Sequence, residues 1–278
     1  MDNLFKNKKI LITGGTGSLG KSLTKKLLQL DVNTVRIFSR DELKQSEMQT
    51  KFNDKRLRFL IGDIRDKERL YRAFEDIDIV FHAAALKQVP VAEYNPFEAV
   101  KTNVQGSQNI IDACLDNKVK IAIGIGTDKA VSPLNTYGAT KLLMERIFVS
   151  ANNYRGNRDI RFSCVRYGNV LGSRGSILPI FVNQIKSNKK ITITDPNMTR
   201  FNITMNDALN LIFRAVEIGK GGEVFVPKLK AYKVEDMKNA IIELLNANND
   251  TEIINIRPGE KRHEMLINRD EIRRTFEN

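Results

Sequence analysis

The sequence contains no tryptophan, only two cysteines and two histidines among its 278 residues, and no long apolar run. Cys114 and Cys164 lie far apart in apolar surroundings, so we interpret them as reduced, buried thiols. His82 and His263 have no partners at metal-ligand spacing, so no metal site is predicted. The polar N-terminal segment excludes a secretory signal, and no segment approaches the ~18 apolar residues of a membrane helix. These absences predict a cytoplasmic protein without membrane insertion.

The chain carries an excess of positive charge, with 45 Lys and Arg against 33 Asp and Glu, which gives a net charge of +12. Such an excess is compatible with nucleic acid, an acidic membrane surface or a polyanionic small ligand. Basic and acidic residues are mixed along the chain, as between Asp66 and Arg72, and no basic arm or interleaved aromatic stripe is present. We attribute most of the charge to a solvated surface and predict no nucleic-acid partner.

Short apolar segments alternate with longer segments of helical period along most of the chain. The strand segments 10–13 and 79–83 are apolar on both faces, which is typical of a parallel sheet covered by helices on each side. The sequence therefore predicts an α/β fold with a doubly wound parallel sheet over residues 1–167 and a smaller lobe over 168–278, with an approximate, interleaved boundary. The predicted helices span 17–31, 41–53, 66–75, 96–118, 137–154, 177–187, 206–217 and 234–246.

A glycine-rich segment, GGTGSLG at 14–20, follows the first predicted strand directly and opens a helical segment near Ser18. Gly14 permits the tight turn, Gly17 lets the backbone approach a pyrophosphate, and Gly20 allows close helix packing. Free N–H groups at the start of the helix hold the anion. The segment predicts a dinucleotide site, and its GxxGxxG spacing resembles that of the extended short-chain dehydrogenases/reductases.

The end of the second predicted strand indicates which dinucleotide binds. Ser39 and Arg40 stand where an acidic residue would bind the adenosine ribose of NAD. Because both side chains can pair with a 2′-phosphate, they favour NADP. Asp41, directly after them, is the residue that would favour NAD instead.

The next two strand ends provide further cofactor contacts. Asp63 and Ile64 after the third strand resemble the adenine-contacting pair of the same superfamily. Small side chains after the fourth strand leave room for the cofactor to lie against the chain. These small residues are Ala83, Ala84 and Ala85.

Five residues form the predicted chemical site. Tyr137 and Lys141 are four residues apart on a predicted helix, so their side chains share one face. Lys141 is expected to hold the nicotinamide ribose and to lower the pKa of Tyr137, which makes the phenolate a usable base. Thr127 follows the fifth strand and represents the usual Ser or Thr partner of the tyrosine. Asp128 and Lys129 come next, at the edge where an open parallel sheet positions reactive groups, and they add the acid and base that elimination of water requires.

Ten segments along nearly the whole chain together resemble the inverting UDP-N-acetylglucosamine 4,6-dehydratases (5-epimerising) of pseudaminic acid biosynthesis. One departure is Gly124-Ile125-Gly126, which stands where the family usually has Leu-Ser before Thr127. The segments are GGTGSLGK (14–21), SRDELKQSEM (39–48), IGDIRD (61–66), HAAALKQVPVAEYNP (82–96), KTNVQGSQN (101–109), TDKA (127–130), YGATK (137–141), VRYGNVLGSRGS (165–176), MTRF (198–201) and IRPGEKRHE (256–264).

The resemblance implies a hydro-lyase of the Rossmann, extended short-chain dehydrogenase/reductase type that uses NADP and UDP-N-acetylglucosamine. Tyr137 would take the C4 hydroxyl proton while the C4 hydride passes to NADP. Lys129, in its neutral form, would then abstract the C5 proton, and Asp128 would protonate the departing C6 hydroxyl. Return of the hydride to C6 and reprotonation of C5 from the opposite face would give UDP-2-acetamido-2,6-dideoxy-beta-L-arabino-hex-4-ulose.

The resemblance also implies further contacts and a homo-oligomer. A retaining 4,6-dehydratase or a 4-epimerase is the alternative, although retaining enzymes have Asp-Glu where this chain has Asp128-Lys129. A non-catalytic NADP-binding protein is a third reading, which the presence of Tyr137 and Lys141 disfavours. Further cofactor contacts are Thr16, Ser18, Leu19, Lys44, Lys87 and Val170, and substrate contacts are Lys87, Asn169, Thr199, Arg200, Arg257 and Glu260.

Overall fold

A computed structural model describes residues 2–278, and within that range the chain forms twelve strands and twelve α-helices. None of the helices among these residues is long and apolar enough to cross a membrane. The strands are β1 Lys9–Thr13, β2 Thr34–Ser39, β3 Leu57–Ile61, β4 Ile79–His82, β5 Ile121–Ile125, β6 Arg161–Val165, β7 Asn169–Val170, β8 Ile191–Ile193, β9 Thr199–Ile203, β10 Val224–Phe225, β11 Ala231–Lys233 and β12 Thr251–Ile253. The helices are α1 Asp2–Phe5, α2 Ser18–Leu27, α3 Glu42–Phe52, α4 Lys67–Phe74, α5 Val89–Tyr94, α6 Pro96–Val100, α7 Gly106–Asp116, α8 Thr136–Tyr154, α9 Ile177–Lys186, α10 Met205–Ile218, α11 Val234–Leu244 and α12 Arg269–Ile272.

The main sheet has seven strands in the order β10-β6-β5-β4-β1-β2-β3, and all its pairings are parallel. The predicted doubly wound sheet is therefore confirmed. The strand order reverses direction between β1 and β4, and the crevice above such a switch point is the usual ligand site of an open α/β sheet. The fold thus indicates the place of the site before any side chain is considered.

The core lies on both faces of this sheet. Along β1, Ile10 and Ile12 face one apolar cluster, and Leu11 faces the other. This alternation with both faces buried explains why the strand reads as a continuous apolar run. The first face is covered by α2 and α10, and the second by α4, α7 and α8.

The predicted helix over 96–118 is corrected by the structure, since a π-helical turn at Lys101–Gln105 separates α6 from α7. Asn103 in this turn is almost fully buried. Its side chain accepts from the backbone N–H of Leu86 at 2.8 Å and donates to the Leu86 carbonyl at 2.9 Å and to the Thr140 hydroxyl at 3.0 Å. The turn directs an amide side chain inward to join three elements, a common use of π-bulges.

The C-terminal part of the chain is smaller and more irregular. It contains the sheet β11-β9-β7 and the parallel pair β12-β8, with a separate apolar core that includes Phe181, Ile191 and Ile241. However, α10 packs on the main sheet and β10 forms its edge strand, so the two parts are interleaved. The functional division at 167/168 stays a prediction.

Replacing Gly20 by alanine is expected to destabilise the protein. A Cβ at Gly20 would lie 2.4 Å from the carbonyl oxygen and 2.5 Å from the Cα of Gly15, both backbone atoms that cannot move aside easily. Such overpacking typically costs about 1–3 kcal/mol, and about 1 kcal/mol lowers the midpoint of thermal unfolding by roughly 2–4 °C in a chain of this size. Thermal unfolding with Lys25→Ala, an exposed position of the same helix, as the matched control should show the loss only for Gly20→Ala. Equal midpoints would contradict the close packing of α2.

Candidate active site

A cleft of about 940 Å³ lies at the carboxyl ends of the main-sheet strands. Residues that follow β1, β2, β3, β4 and β5 line one side, and residues of the C-terminal part, among them Arg200 and Glu264, line the other. The volume is within the usual range for a ligand site, and its position is the one that the strand order indicates.

The glycine-rich loop forms one wall of the cleft with exposed backbone. Gly14 has a φ of +65°, and a Cβ there would lie 2.9 Å from the Cα of Ala84, so the loop and the chain after β4 are in close contact. Helix α2 begins at Ser18. Its N-cap residue is Gly17, which has no side chain that could accept a hydrogen bond from the first N–H groups of the helix. The first N–H groups of α2 are therefore open to an anion. The predicted residues Gly14, Thr16, Gly17, Ser18, Leu19 and Gly20 all line the cleft.

The end of β2 shows how Asp41 is used. Its Oδ1 accepts from the backbone N–H of Lys44 at 2.9 Å and caps α3, and the Lys44 ammonium also bonds the carboxylate. These hydrogen bonds from Lys44 lower the pKa of Asp41. Arg40 is exposed at the rim of the cleft, with Nη1 3.6 Å from an Asp63 oxygen. The positive groups of this rim are therefore more available to a ligand than the Asp41 carboxylate is.

The remaining predicted cofactor residues also face the cleft. Lys87 donates to the carbonyl of Arg174 at 3.2 Å, and burial lowers the pKa of its ammonium group. Arg174 also lines the cleft, although the sequence analysis did not identify it. The other predicted residues that line the cleft are Ser39, Arg40, Lys44, Asp63, Ile64, Ala83, Ala84, Ala85 and Val170.

Tyr137 and Lys141 lie on the first two turns of α8, with only 9% and 3% of their surfaces exposed. Asn135 caps this helix by accepting from the N–H of Gly138 at 2.7 Å. A Cβ at Gly138 would lie 2.2 Å from the carbonyl oxygen of Lys129, so α8 packs directly on the 3-10 turn Asp128–Ala130. This contact brings the predicted catalytic residues of two elements together.

Burial dominates the ionisation of the tyrosine and the lysine. It raises the pKa of Tyr137 well above its usual range, and the nearby Thr127 hydroxyl acts in the opposite direction. Burial also lowers the pKa of Lys141 to about 8, while the carboxylate of Glu145 opposes this shift. Desolvation is the largest influence on the phenol, and the carboxylates of Asp128 and Glu145 add to it. The lowering of the Tyr137 pKa by Lys141 stays a prediction.

A buried ion-pair network lies near Lys141 and accounts for Gly126, the residue before Thr127. Glu145 is one turn beyond Lys141 on α8 and bonds Arg166 at 2.8 Å, and Arg166 bonds Glu271 at 2.8 Å. A Cβ at Gly126 would lie 2.3 Å from a Glu145 oxygen. The departure from the usual family sequence therefore provides room for the Glu145 carboxylate. The sequence analysis missed Glu145, although a charged residue on the buried face of α8 was a signal for it.

Asp128 and Lys129 form a hydrogen-bonded pair at the end of β5. Asp128 is fully buried and does not itself line the cleft, whereas Lys129 does. The Asp128 Oδ1 accepts from the Lys129 Nζ at 3.0 Å and from the Thr127 hydroxyl at 3.1 Å. Its Oδ2 is buried without a hydrogen-bond partner in the described part of the chain. Lys129 also donates to Asn169 Oδ1 at 3.3 Å and lies 3.8 Å from Glu264 Oε1.

The predicted substrate residues are brought together with one exception. Lys87, Asn169, Arg200, Arg257 and Glu260 line the cleft, but Thr199 does not. The Thr199 hydroxyl instead pairs with His263 Nδ1 at 2.8 Å. Arg200 is held by the carbonyls of Thr199 at 2.8 Å and Arg262 at 3.1 Å, and its Nη2 lies 3.4 Å from Glu260. The MTRF motif identifies the segment that borders the cleft, but the motif does not show that Arg200 faces the cleft and Thr199 does not.

Comparison with known proteins confirms the resemblance inferred from the motifs. A model of the family described as "Polysaccharide biosynthesis protein" matches residues 10–278. The chain is 51% identical over 276 residues to a UDP-N-acetylglucosamine 4,6-dehydratase (inverting) of Campylobacter jejuni subsp. jejuni serotype O:23/36, which covers 99% of this chain and 81% of that protein. It is 42% identical over 273 residues to a UDP-glucose 4-epimerase of Rickettsia felis, with 97% and 80% covered.

Two solved structures share the fold. Pen from Bacillus thuringiensis has a TM-score of 0.93 at 46% identity, with 96% of this chain and 85% of that chain covered. DesIV, a dTDP-glucose 4,6-dehydratase from Streptomyces venezuelae solved with NAD and TYD bound, has a TM-score of 0.86 at 20% identity, with 95% and 90% covered. The second likeness shows the fold alone, and both confirm the predicted Rossmann-type architecture.

His82 at the end of β4 is buried and joins two elements below the cleft. One ring nitrogen pairs with the Thr13 hydroxyl at 2.8 Å and the other with the Ser107 hydroxyl at 2.9 Å. Burial lowers the pKa of His82 to about 3, with a smaller effect of the Lys141 charge. The ring is therefore neutral in the folded protein at all pH values near neutrality. These contacts indicate a structural role for the ring.

The stability of the protein is expected to depend on pH through His82. Since its pKa is lower in the folded chain than in the unfolded chain, its contribution to stability is complete above pH 6.5 and is lost as the pH falls towards 3. Between pH 7 and pH 5 the wild type should lose about 2 kcal/mol of unfolding free energy more than His82→Gln does. Urea unfolding of both proteins at the two pH values measures this difference, and parallel losses would contradict a buried neutral ring.

Proposed function

The chain belongs to the polysaccharide biosynthesis protein family, and from this premise we propose that it is an NADP-dependent UDP-N-acetylglucosamine 4,6-dehydratase that inverts C5. The observation that carries the proposal is the Asp128–Lys129 pair, hydrogen-bonded at 3.0 Å and packed against the helix that bears Tyr137. A 4-epimerase needs a base at the C4 hydroxyl and a hydride acceptor. Elimination of water also needs a base at C5 and an acid at C6, and this pair supplies both.

The cleft fits a nicotinamide dinucleotide, whose ring accepts the hydride of C4 and returns it to C6 when bound. Gly14 and Gly17 present bare backbone, and the open N–H groups of α2 would hold the pyrophosphate. For the adenosine end we favour NADP over NAD. Arg40 and Ser39 would pair with the 2′-phosphate, while the Asp41 carboxylate is already used as the cap of α3.

Tyr137 is proposed as the base for the C4 hydroxyl. Its phenol lies close to Thr127, and the Lys141 ammonium, one turn further on α8, lines the same cleft. The high pKa that burial gives the phenol means that positive charge must be placed near it for the phenolate to form. Lys141 would contribute that charge together with the oxidised ring of the cofactor.

The Asp128–Lys129 pair generates the acid and the base of the elimination in one proton transfer. A proton that moves from Lys129 Nζ to Asp128 leaves a neutral amine facing the cleft and a neutral carboxylic acid behind it. The amine takes the C5 proton and becomes an ammonium group again. Because Asp128 does not line the cleft, its proton would reach the C6 hydroxyl through the Thr127 hydroxyl, which bonds Oδ1 and does line it. The hydroxyl would leave as water, a proton from solvent would be added to C5 from the opposite face, and Tyr137 would release to solvent the proton that it took from the C4 hydroxyl.

The UDP-sugar would lie between the sheet and the C-terminal part. Arg200 and Arg257 suit the diphosphate, and Glu260 suits the ribose hydroxyls. Glu260 also accepts from the Arg257 backbone N–H at 3.3 Å, so these two residues of the cleft are adjacent. Asn169 and Lys87 lie nearer to the chemical site. Thr199 stays a predicted substrate contact, with its hydroxyl paired with His263 and its side chain outside the lining of the cleft.

We also propose that the enzyme acts in the cytoplasm as a homo-oligomer and that its product serves the biosynthesis of pseudaminic acid or a related surface glycan. Exposed apolar side chains on neighbouring helices support an oligomer: Phe97 on α6 is 67% exposed and Leu143 on α8 is 47% exposed. The family description supports the glycan pathway.

A 4-epimerase is the alternative function. It is supported by the 42% identity to the UDP-glucose 4-epimerase of Rickettsia felis. Incubation with UDP-N-acetylglucosamine in deuterated water separates the two reactions. The proposed enzyme yields a 4-keto-6-deoxy sugar with solvent deuterium at C5 and the L-arabino configuration. An epimerase yields the C4 epimer without solvent deuterium at C5, and that product would overturn the proposal. A product with the D configuration at C5 would indicate a retaining dehydratase.

Lys129→Met should abolish the elimination while sugar-nucleotide binding persists. Methionine resembles the stem of lysine in size, so the packing should survive the loss of the ammonium group. We expect no C5 deuterium and no 4-keto-6-deoxy product by NMR, with UDP affinity within about twofold of wild type by calorimetry. Tyr137→Phe is the companion variant, which should retain cofactor and lose turnover. Continued C5 exchange in Lys129→Met would assign the base to another residue.

Arg40→Ala should weaken NADP binding about tenfold or more and leave NAD binding nearly unchanged. Loss of a charge-assisted hydrogen bond to the 2′-phosphate typically costs about 1.5–3 kcal/mol. Fluorescence titration of both dinucleotides measures the two affinities. Arg58→Ala, an exposed arginine on β3 outside the cleft, is the matched control. If NADP and NAD weaken equally, the preference for NADP has no basis in Arg40.

A further inference from the structure

A second carboxylate reaches Lys129 from the C-terminal part of the chain. Glu264 Oε1 lies 3.8 Å from Lys129 Nζ, and Glu264 lines the cleft although only 7% of its surface is exposed. We propose that Glu264 is a positioning residue for Lys129, which stabilises the ammonium group that forms when Lys129 takes the C5 proton. The inference rests on the proposed dehydratase function and adds to it a residue that has no assigned role.

Three oxygen atoms surround the Lys129 ammonium group. Asp128 Oδ1 at 3.0 Å and Asn169 Oδ1 at 3.3 Å accept its hydrogen bonds, and Glu264 completes the set at ion-pair distance. At 3.8 Å the Glu264 contact is too long for a hydrogen bond, so it acts through charge. The three groups hold Nζ in one place at the surface of the cleft.

Glu264 is itself held by a built contact. Lys261 Nζ lies 3.3 Å from Glu264 Oε2 as an ion pair, although that oxygen accepts no hydrogen bond in the described part of the chain, and Lys261 donates to the carbonyl of Val131 at 2.6 Å. Both Lys261 and Glu264 are buried, and a buried carboxylate is strongly destabilising unless a charge or hydrogen bond compensates it. The Thr199 N–H bonds the carbonyl of Arg262 at 3.0 Å and fixes the backbone between the two residues. The carboxylate is therefore directed at Lys129 by the fold.

The charge of Glu264 acts at two steps of the proposed reaction: it opposes the proton transfer from Lys129 to Asp128, and from the resulting neutral amine it favours the transfer of the C5 proton to Lys129. Before C5 deprotonation Lys129 has given a proton to Asp128, so the amine is neutral and Glu264 attracts it little. When the C5 proton moves to Nζ, the C5–H bond breaks, its electron pair stays on the sugar and a positive charge develops 3.8 Å from Glu264. Oxidation at C4 depends on Tyr137 and involves no charge change at Lys129. Loss of the Glu264 charge should therefore slow the C5 step and spare the C4 step.

Glu264→Gln tests this separation with two readouts on the holoenzyme and UDP-N-acetylglucosamine. We expect incorporation of solvent deuterium at C5, followed by NMR, to slow roughly tenfold. Because the C4 step continues, reduced nicotinamide should accumulate in a single turnover and show as a near-ultraviolet absorbance that the wild type lacks. UDP affinity by calorimetry should stay within about twofold of wild type. Glu264→Asp, which keeps the charge at a greater distance, should give an intermediate rate.

Lys261→Met is a second, independent variant that removes the ammonium group holding Glu264. It should produce the same accumulation of reduced nicotinamide, and it decides the question if Glu264→Gln does not fold. Glu223→Gln is the matched control, because Glu223 is a half-buried carboxylate that holds the Lys220 and Gly221 backbone outside the cleft. We expect the control to lack the absorbance signature.

The outcomes distinguish this inference from the proposed function. If wild-type enzyme shows no C5 deuterium, the proposed function fails and the role of Glu264 fails with it. If wild type exchanges C5 hydrogen and both variants keep the wild-type ratio of C5 exchange to C4 oxidation, only the role of Glu264 is overturned. Equal slowing of both steps, as in a general loss of structure, overturns it too.

Discussion

The close contact between α8 and the turn after β5 determines the geometry of the active site. Gly138 has no side chain, so the first turn of the helix lies against the carbonyl of Lys129. Tyr137 on the helix and Thr127 on the turn are thereby held close together, with Asp128 and Lys129 beside them. Any residue larger than glycine would separate the two elements, and Tyr137, the proposed base for C4, would lose its fixed relation to the pair proposed to act at C5 and C6.

Several charged side chains in and beside this cleft form ion pairs with one another. Asp128 with Lys129 and Glu264 with Lys261 are two neighbouring ion pairs, and of their four side chains that of Lys129 is the most exposed, at 19%. Buried pairs of this kind add little net stability, since the loss of hydration offsets much of their attraction. The use that we propose for the Asp128–Lys129 pair is chemical: a proton can move between these two partners without changing the total charge of the cluster.

The sequence predicted those features that depend on local pattern. Strands buried on both faces, the glycine loop and the YxxxK spacing all repeat at short range, and the structure places them as expected. The π-helical turn at Lys101–Gln105 was missed because apolar periodicity continues through it, while the inward amide of Asn103 depends on the distant Leu86. Glu264 was noticed as part of a motif but received no role, because only the folded chain brings it to Lys129. The pairing of Thr199 with His263 could not be predicted for the same reason, since the two residues are also distant in sequence.

The interleaving of α10 and β10 with the main sheet affects the order in which the protein can fold during synthesis. Phe213 of α10 packs against Phe5 and Phe81, with ring centres 5.1 and 6.4 Å away, and covers one face of the sheet. The ribosome therefore releases most of the sheet before the helix that covers it exists. Until that helix emerges, the nascent chain presents an apolar face to the cytosol, and partly folded chains with such faces bind chaperones or aggregate.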